Sequence, residues 1–501
     1  MKQFLICFVF VLQLLNTSFA QQEILLERFR GTVFLDKNQN GERDADEKGI
    51  KGIPVSNGDT IIITNKRGEF RLNVGDGKSI FPIISSGYKI VGSSVGNSNF
   101  RYIHENADFS SEKTIEFPLI KEVQNSKFRI GAVGDVQVDD LQQMKYANKT
   151  IIQELVAKHD LAFNIFLGDL VNNNTSYLNY INDMLVGIPS QSWTVIGNHD
   201  RVIETDKQDQ AFNSVFGASH YSFNYADVHF IVLNNIYSDG TRKYEGRVND
   251  TQLRFIANDL ALVPNDMLVV ICQHIPMVQT KNKAELLALL EAREQVLILS
   301  GHTHKVGRHF LSENVTELTV GASCGNWWIG EKDWQGIPSA MMQCGTPRNY
   351  FVIDFNKNKF NFTFKGIGLD DSYQMDIWVA GQDSVDNYLN GIEDFKGNEV
   401  VANIFGGSDS TIVRMQIDSG KWITMEKVNM LAPSVSRLIT MNKIGGYPTR
   451  FSRKGLARKS PSPHVWVGYL PDDIKKGVHK IRIIANDKYG FQTTGNRVII
   501  Y

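Results

Sequence analysis

The chain has 501 residues, of which 42% are hydrophobic and 21% charged, and carries a formal net charge of −1. That length exceeds what one core organises and implies about three domains of roughly 100–200 residues, while the composition excludes a disordered or fibrous protein. Near-neutral charge excludes the basic footprint expected of a nucleic-acid-binding protein or of one held on an anionic membrane.

The first twenty residues have one cationic residue, Lys2, an apolar run from Phe4 to Leu15, and Ser18-Phe19-Ala20 before Gln21. This is the pattern of a signal peptide over residues 1–20, too short to span a bilayer, so the mature chain is expected to be exported, periplasmic or secreted, without a transmembrane segment. Cleavage would leave Cys272, Cys324 and Cys344. Cys272 lies in a strand-like run and reads as a buried thiol, whereas Cys324 and Cys344 share a loop-rich stretch and are either free or paired in an oxidising compartment.

Residues 21–122 hold short alternating runs, such as Gly31–Leu35, Thr60–Thr64 and Glu69–Asn73, punctuated by Gly and Asn. They predict an N-terminal antiparallel β-sandwich domain. Within it, Asp36, Asn38, Asn40, Asp44 and Glu47 place oxygen donors at the spacing of a calcium loop. Gly31–Leu35 before the loop reads as a strand, not as an EF-hand helix. The loop is either a calcium site or a solvated acidic turn.

Residues 123–368 alternate strands with helices, which predicts a layered α/β core. The strand-like runs are Phe128–Val133, Phe163–Leu167, Trp193–Ile196, His229–Leu233, Met267–Cys272 and Val296–Leu299. Leu141, Met144, Ile151, Ile152 and Leu155, then Leu253, Ile256 and Leu260, then Leu286 to Leu290, recur near helical spacing. Tyr350–Phe355 and Lys359–Phe364 predict a hairpin about Asn356-Lys357-Asn358. From residue 369 to 501 the helical signal fades and β-type runs return at Gln374–Val379, Val400–Phe405, His464–Val467 and His479–Ala485, which predicts a C-terminal β-rich domain.

The chemistry lies in the loops that follow the central strands, where open α/β sheets place ligands. Gly134-Asp135-Val136-Gln137, Gly168-Asp169, Gly197-Asn198-His199-Asp200, His274 and Gly301-His302-Thr303-His304 occur in that order. Each is weak alone. Together they supply a dinuclear site, with Asp169 bridging, Asp135, Gln137 and His304 completing a first metal, and Asn198, His274 and His302 completing a second. Two such ions lower the pKa of a shared water and clamp phosphoryl oxygens for in-line displacement. His199 is left to protonate the leaving alkoxide, and the adjacent Asp200 is a candidate to orient its imidazole.

These residues resemble the calcineurin-like metallophosphoesterase superfamily, whose pattern runs D-x-H, G-D, G-N-H-E/D, H and G-H-x-H. The resemblance covers about Phe128 to Gly366 and implies a central sandwich of two mixed sheets flanked by helices, two divalent ions (Mn, Fe or Zn) and phosphoester hydrolysis. Gln137 stands where the family usually has His. An amide oxygen is a harder ligand than imidazole, which favours Mn or Mg over Zn at the first metal. The terminal segments resemble those of bacterial exported phosphoesterases with dedicated N- and C-terminal β-domains, on Gly31–Asp36 and Gly49–Ser56 at the front and Val400–Phe405, Ser462–Trp466 and Asp487–Gly490 at the back.

The sequence therefore predicts an exported phosphoesterase acting on phosphate mono- or diesters through a hydroxide activated between two metals, with a small-molecule, lipid or glycan substrate and no nucleic acid. The alternative is a glycan- or protein-binding surface protein with a degenerate core. Arg201, directly after G-N-H-D, and Trp327 and Trp328, in the aromatic loop after the last metal motif, are candidate substrate contacts.

Overall fold

A computed structural model describes residues 27–74, 78–92, 95–96, 100–103, 113–203, 205, 207–383, 397–443 and 460–500. The signal-like segment at 1–20 lies outside these residues. Among the described residues no helix is long and apolar enough to cross a membrane.

Among the described residues the N-terminal domain forms two four-stranded sheets. Glu69–Val74 alternates outward and buried residues as a half-buried strand must. The prediction of a wholly antiparallel domain is corrected at one place: Glu27–Leu35 pairs in parallel with Lys113–Lys121. The two strands are separated by nearly the whole domain, so no tight turn forces them antiparallel.

The central domain packs a five-stranded sheet on a six-stranded one. In the first, Gln191–Thr194, Phe163–Phe166 and Lys127–Val133 run parallel, and the hairpin Asn349–Asn356/Lys359–Gly366 closes the far side. In the second, the order is Tyr221–Tyr225, Val228–Val232, Leu268–Cys272, Val296–Ser300, Val315–Val320, Val306–Phe310, with the middle four parallel. Aromatic rings join the inner faces: Trp193 stacks on Phe223 at 3.9 Å and Phe163 meets Phe230 edge-on at 5.2 Å.

Register decides where the motifs emerge. Val133 pairs with Phe166 and Phe166 with Thr194, so the loops beginning at Gly134, Leu167 and Val195 leave the sheet at one level. In the facing sheet Cys272 pairs with Leu299, which brings His274 and Gly301 to the same rim.

The first helical stretch departs from regular spacing. Leu141–Ala147 and Gln153–Ala157 are joined by a π turn at Asn148–Ile152, and the wider turn lets the consecutive Ile151 and Ile152 both face the core.

Among the described residues the C-terminal domain forms two four-stranded antiparallel sheets. It also holds a helix, Pro433–Lys443, that the fading helical periodicity did not foreshadow. One apolar cluster runs through all three domains; Phe81 meets Phe255 at 6.1 Å, and Phe364 meets Phe405 at 4.7 Å.

Candidate metal centre

Asp135, Gln137, Asp169, His302 and His304 all adopt left-handed backbone, with φ of 39°, 42°, 49°, 71° and 50°. For side chains larger than glycine this conformation is costly and persists only where the surroundings impose it. The motif glycines make that crowding possible. A Cβ on Gly197 would lie 2.0 Å from the Asp169 nitrogen, and one on Gly301 would lie 2.7 Å from Asp135 Oδ2. Glycine is required there for three loops to touch.

The loops turn their donors toward one another. Asp169, His274 and His302 present ligand atoms that all lie within 4.8 Å of each other. His274 Nε2 is 3.2 Å from Asp169 Oδ2 and 3.1 Å from Asn198 Oδ1, and His302 Nδ1 is 3.2 Å from His274 Nε2. On the other flank His304 Nε2 is 3.6 Å from Asp135 Oδ1. Backbone carbonyls fix the ring orientations: His274 Nδ1 donates to Leu167 O at 2.8 Å and His304 Nδ1 to Gly325 O at 2.6 Å. Each therefore aims Nε2 into the cleft, as a metal-binding imidazole requires.

The electrostatics fit a cation. Burial, reinforced by the charge of Asp169, pushes the Asp135 carboxyl well above its usual range, and the same two causes raise Asp200 to about 7. Burial also works to raise Asp169, but the charge and hydrogen bond of His274 outweigh it and hold that carboxyl below the usual range. For His274, burial is overcome by Asp169, and the imidazole rises to about 9. Burial lowers His302 to about 3 and His304 to about 4, which keeps both in the neutral, ligating form. Buried carboxylates converging on lone pairs of imidazole are costly unless positive charge joins them. The residues fit two divalent ions.

Gln137 reaches the centre through its backbone, donating to Asp169 O at 2.8 Å. Its Oε1 lies 3.8 Å from the Cys324 thiol, which donates to it, and its Nε2 lies 3.5 Å from Asn172 Oδ1. Cys324 and Cys344 are free and buried, so the open question of a disulfide resolves against one. Cys324 faces the centre, whereas Cys344 lies 3.1 Å from Thr346 Oγ1.

Three expected roles are corrected by the geometry. Asp200 does not reach the His199 ring: its carboxylate is fully buried and accepts from Val171 N at 3.0 Å and Gly197 N at 2.8 Å, closing the loop from behind. The His199 Nδ1 instead donates to Asn173 Oδ1 at 2.8 Å, and Asn173 N donates back to His199 O at 3.1 Å. Arg201 is buried, donates from Nε to Asn198 O at 3.0 Å and from Nη1 to Gln208, and lies 5.0 Å from the centroid of the Tyr244 ring. It braces a ligand loop rather than lining a substrate pocket. Trp328 is buried, donates to Val136 O at 3.0 Å and packs on Tyr146 and Arg348. Trp327 alone of the pair meets the centre, stacked on His304 at 4.3 Å.

Asn173, Tyr244 and Cys324 are the neighbours that sequence reasoning did not name for this site. Asn173 had a signal: it follows Asp169 in an Asn-rich turn and takes φ 69°, a conformation Asn tolerates well. Tyr244 meets His302 edge-on at 6.1 Å from a short hairpin that no motif marks.

In the N-terminal loop, Asp36 accepts from Gln39 N at 2.6 Å and Gly41 N at 2.8 Å, Asp44 accepts from Asn38 and Asn40, and Glu47 accepts from Lys37 N at 2.6 Å and Asp44 N at 3.1 Å. The loop is closed by its own polar groups.

Residues 128–306 match the family described as calcineurin-like phosphoesterase, and residues 317–492 match the family described as the C-terminal part of calcineurin-like phosphoesterases. The chain is a calcineurin-like phosphoesterase. It is accordingly a metal-binding hydrolase of phosphoester bonds. The second match begins inside the strand Val315–Val320, so this C-terminal family unit includes the last strands of the phosphoesterase sandwich. No curated protein matches the sequence. Among solved structures, a dimetal phosphatase from Danio rerio is 14% identical over 48% of this chain and 96% of its own, with a TM-score of 0.34. A purple acid phosphatase from seeds of yellow lupin (Lupinus luteus) is 12% identical over 68% of this chain and 67% of its own, with a TM-score of 0.35. A 5'-nucleotidase from Candida albicans is 11% identical over 76% of this chain and 91% of its own, with a TM-score of 0.30. At these scores the likenesses carry no functional argument.

Proposed function

We propose that this phosphoesterase is exported and hydrolyses phosphate mono- or diesters of a small molecule, lipid or glycan, using two divalent metal ions. The observation that carries the reading is the convergence of Asp169, His274 and His302 within 4.8 Å, with Asp135 and His304 alongside and His199 held apart on Asn173. Asp135, Gln137, Asp169 and His304 would hold the first ion, and Asp169, Asn198, His274 and His302 the second. Bound there, such ions acidify a shared water and neutralise phosphoryl charge.

The chain's own residues supply the rest. With Nδ1 committed to Asn173, His199 presents Nε2 to the cleft and delivers its proton from that atom to the leaving oxygen. Asp200 holds the amides of Val171 and Gly197, which keeps the Asp169 and Asn198 loops in contact. Trp327 covers one face of His304 and keeps water from that side of the ring. The amide at Gln137 favours Mn or Mg at the first ion. Export rests on the segment at 1–20. Calcium in the Asp36–Glu47 loop belongs to the same proposal, supported by the oxygen donors at Asp36, Asn38, Asn40, Asp44 and Glu47; a calcium-dependent rise in melting temperature checks it.

Metal analysis of the purified chain after manganese loading, with turnover of aryl phosphate mono- and diesters in Mn and in Zn, tests the proposal. Two metals per chain and turnover of either ester are expected. Less than one metal per chain with no turnover would sink it.

A further inference from the structure

His302 and His304 sit between two unequal strands. Upstream, Val296–Ser300 is in the interior of the six-stranded sheet, paired on both sides. Downstream, Val306–Phe310 is the sheet's edge and, among the described residues, pairs with Val315–Val320 alone. Edge strands fray because one row of their backbone groups has no partner strand. A pair of left-handed histidines can hold ligand geometry only if both ends of their loop are fixed.

The C-terminal domain occupies that edge. His464 Nε2 donates to Val306 O at 2.7 Å, while its Nδ1 lies 3.1 Å from Gly407 O. Arg308 Nη1 donates to Asp487 Oδ2 at 2.7 Å and to Gly406 O at 3.2 Å, with 1% and 0% of the Arg308 and Asp487 side chains exposed. The guanidinium also lies 5.3, 4.8 and 5.1 Å from the ring centroids of Phe310, Phe362 and Phe491. Phe310 stacks on Tyr489 at 3.7 Å. Three alternate positions of one short strand, Val306 through its carbonyl and Arg308 and Phe310 through their side chains, are therefore gripped by the other domain. Two of the C-terminal segments that stood out in the sequence, Ser462–Trp466 and Asp487–Gly490, supply the grip.

We infer that the C-terminal domain is a positioning element for the metal centre, clamping through His464, Asp487 and Tyr489 the edge strand that follows His302 and His304. The domain stands in for the strand the sheet lacks. A desolvated, hydrogen-bonded charge pair inside an aromatic cage is rigid, and breaking it leaves a buried charge unpaired. Displacement of the strand by a fraction of an ångström would move both imidazoles off their ligand positions, where tolerance is about 0.2 Å. Arg308 and Asp487 touch no reacting atom in this reading; they act through the histidines. The inference rests on the reading of His302 and His304 as metal ligands.

The test compares the full chain with Asp487→Asn, Tyr489→Ala and, as a control in the same domain away from the seam, Trp422→Ala. Each is measured by manganese titration, melting temperature, and kcat and KM on an aryl phosphate. Folded Asp487→Asn is expected to bind manganese at least tenfold more weakly, with the loss of rate in kcat rather than KM and restored by excess manganese. Tyr489→Ala, which trims a partly exposed ring, is expected to lose about threefold in affinity and decides the matter alone if Asp487→Asn does not fold. Trp422→Ala should lower the melting temperature without changing metal affinity. Wild-type affinity in the folded seam variants, or a loss of affinity that follows melting temperature equally in the control, overturns the inference alone. Failure of the wild-type chain to take up manganese overturns it together with the metal-ligand reading.

Discussion

His199 and Asn173 hold each other by two hydrogen bonds, one from the imidazole Nδ1 to the Asn173 side chain at 2.8 Å and one from the Asn173 backbone to His199 O at 3.1 Å. The neighbour in sequence, Asp200, turns the other way. Adjacent residues in a turn project to different sides, and here the buried carboxylate is consumed by two backbone amides.

That pairing sets the first expectation. His199→Ala should lower kcat by about 10²–10⁴-fold while metal content stays at the wild-type level, the size of effect typical of a lost general acid. Asn173→Ala should lower kcat by about tenfold and also keep its metal. If Asn173→Ala proves silent while Asp200→Asn selectively shifts the acidic or basic limb of the pH–rate profile, the assignment of the orienting residue is wrong.

Ligand variants should behave differently. Asn198→Ala and His302→Ala are each expected to lose rate and one metal per chain together, read by elemental analysis beside kinetics. The contrast with His199→Ala separates a ligand from an acid.

Gln137 offers a selectivity experiment. Its amide oxygen faces the Cys324 thiol at 3.8 Å within a fully buried space. Gln137→His restores an imidazole and should raise zinc affinity relative to manganese by about tenfold or more, measured by competitive titration. An unchanged ratio would show that the side chain at 137 does not reach the first ion.

A pH effect follows from Glu317, whose carboxylate accepts from Met277 N at 2.6 Å and Ser300 Oγ at 3.0 Å beneath the loop after His274. Burial raises its pKa from an ordinary 4.5 to about 7. Between those values the folded chain keeps a proton that the unfolded chain has released, so this contribution to stability is full below pH 4.5 and is lost as pH rises through about 7. Glu317→Gln should flatten that part of the melting temperature's pH dependence. The comparison is between pH 5 and pH 8, and an equal slope in both proteins would refute it.

Several elements were legible before the structure because each rests on local chemistry. The parallel strands read as apolar runs since they are buried on both faces, and the hairpin about Lys357 read from its alternating aromatics and turn. The edge strand Val306–Phe310 did not, because it mixes Arg and His among apolar residues, and the docked C-terminal domain explains why the Arg308 guanidinium is buried. The π turn at Asn148–Ile152 and the helix Pro433–Lys443 were likewise invisible to regular periodicity.

By itself the sequence determined the set of candidate metal donors, their order and their place after strands, since the donor atom is a property of the side chain and the glycine beside it marks a close approach. Tertiary structure alone decided which neighbour serves which role. It put Asn173 rather than Asp200 on His199, set Arg201 and Trp328 into the frame and left Trp327 at the centre, and placed a second domain against the strand behind His304. Those assignments depend on register and on the direction of left-handed turns, and contacts between residues far apart in the chain have no local signature.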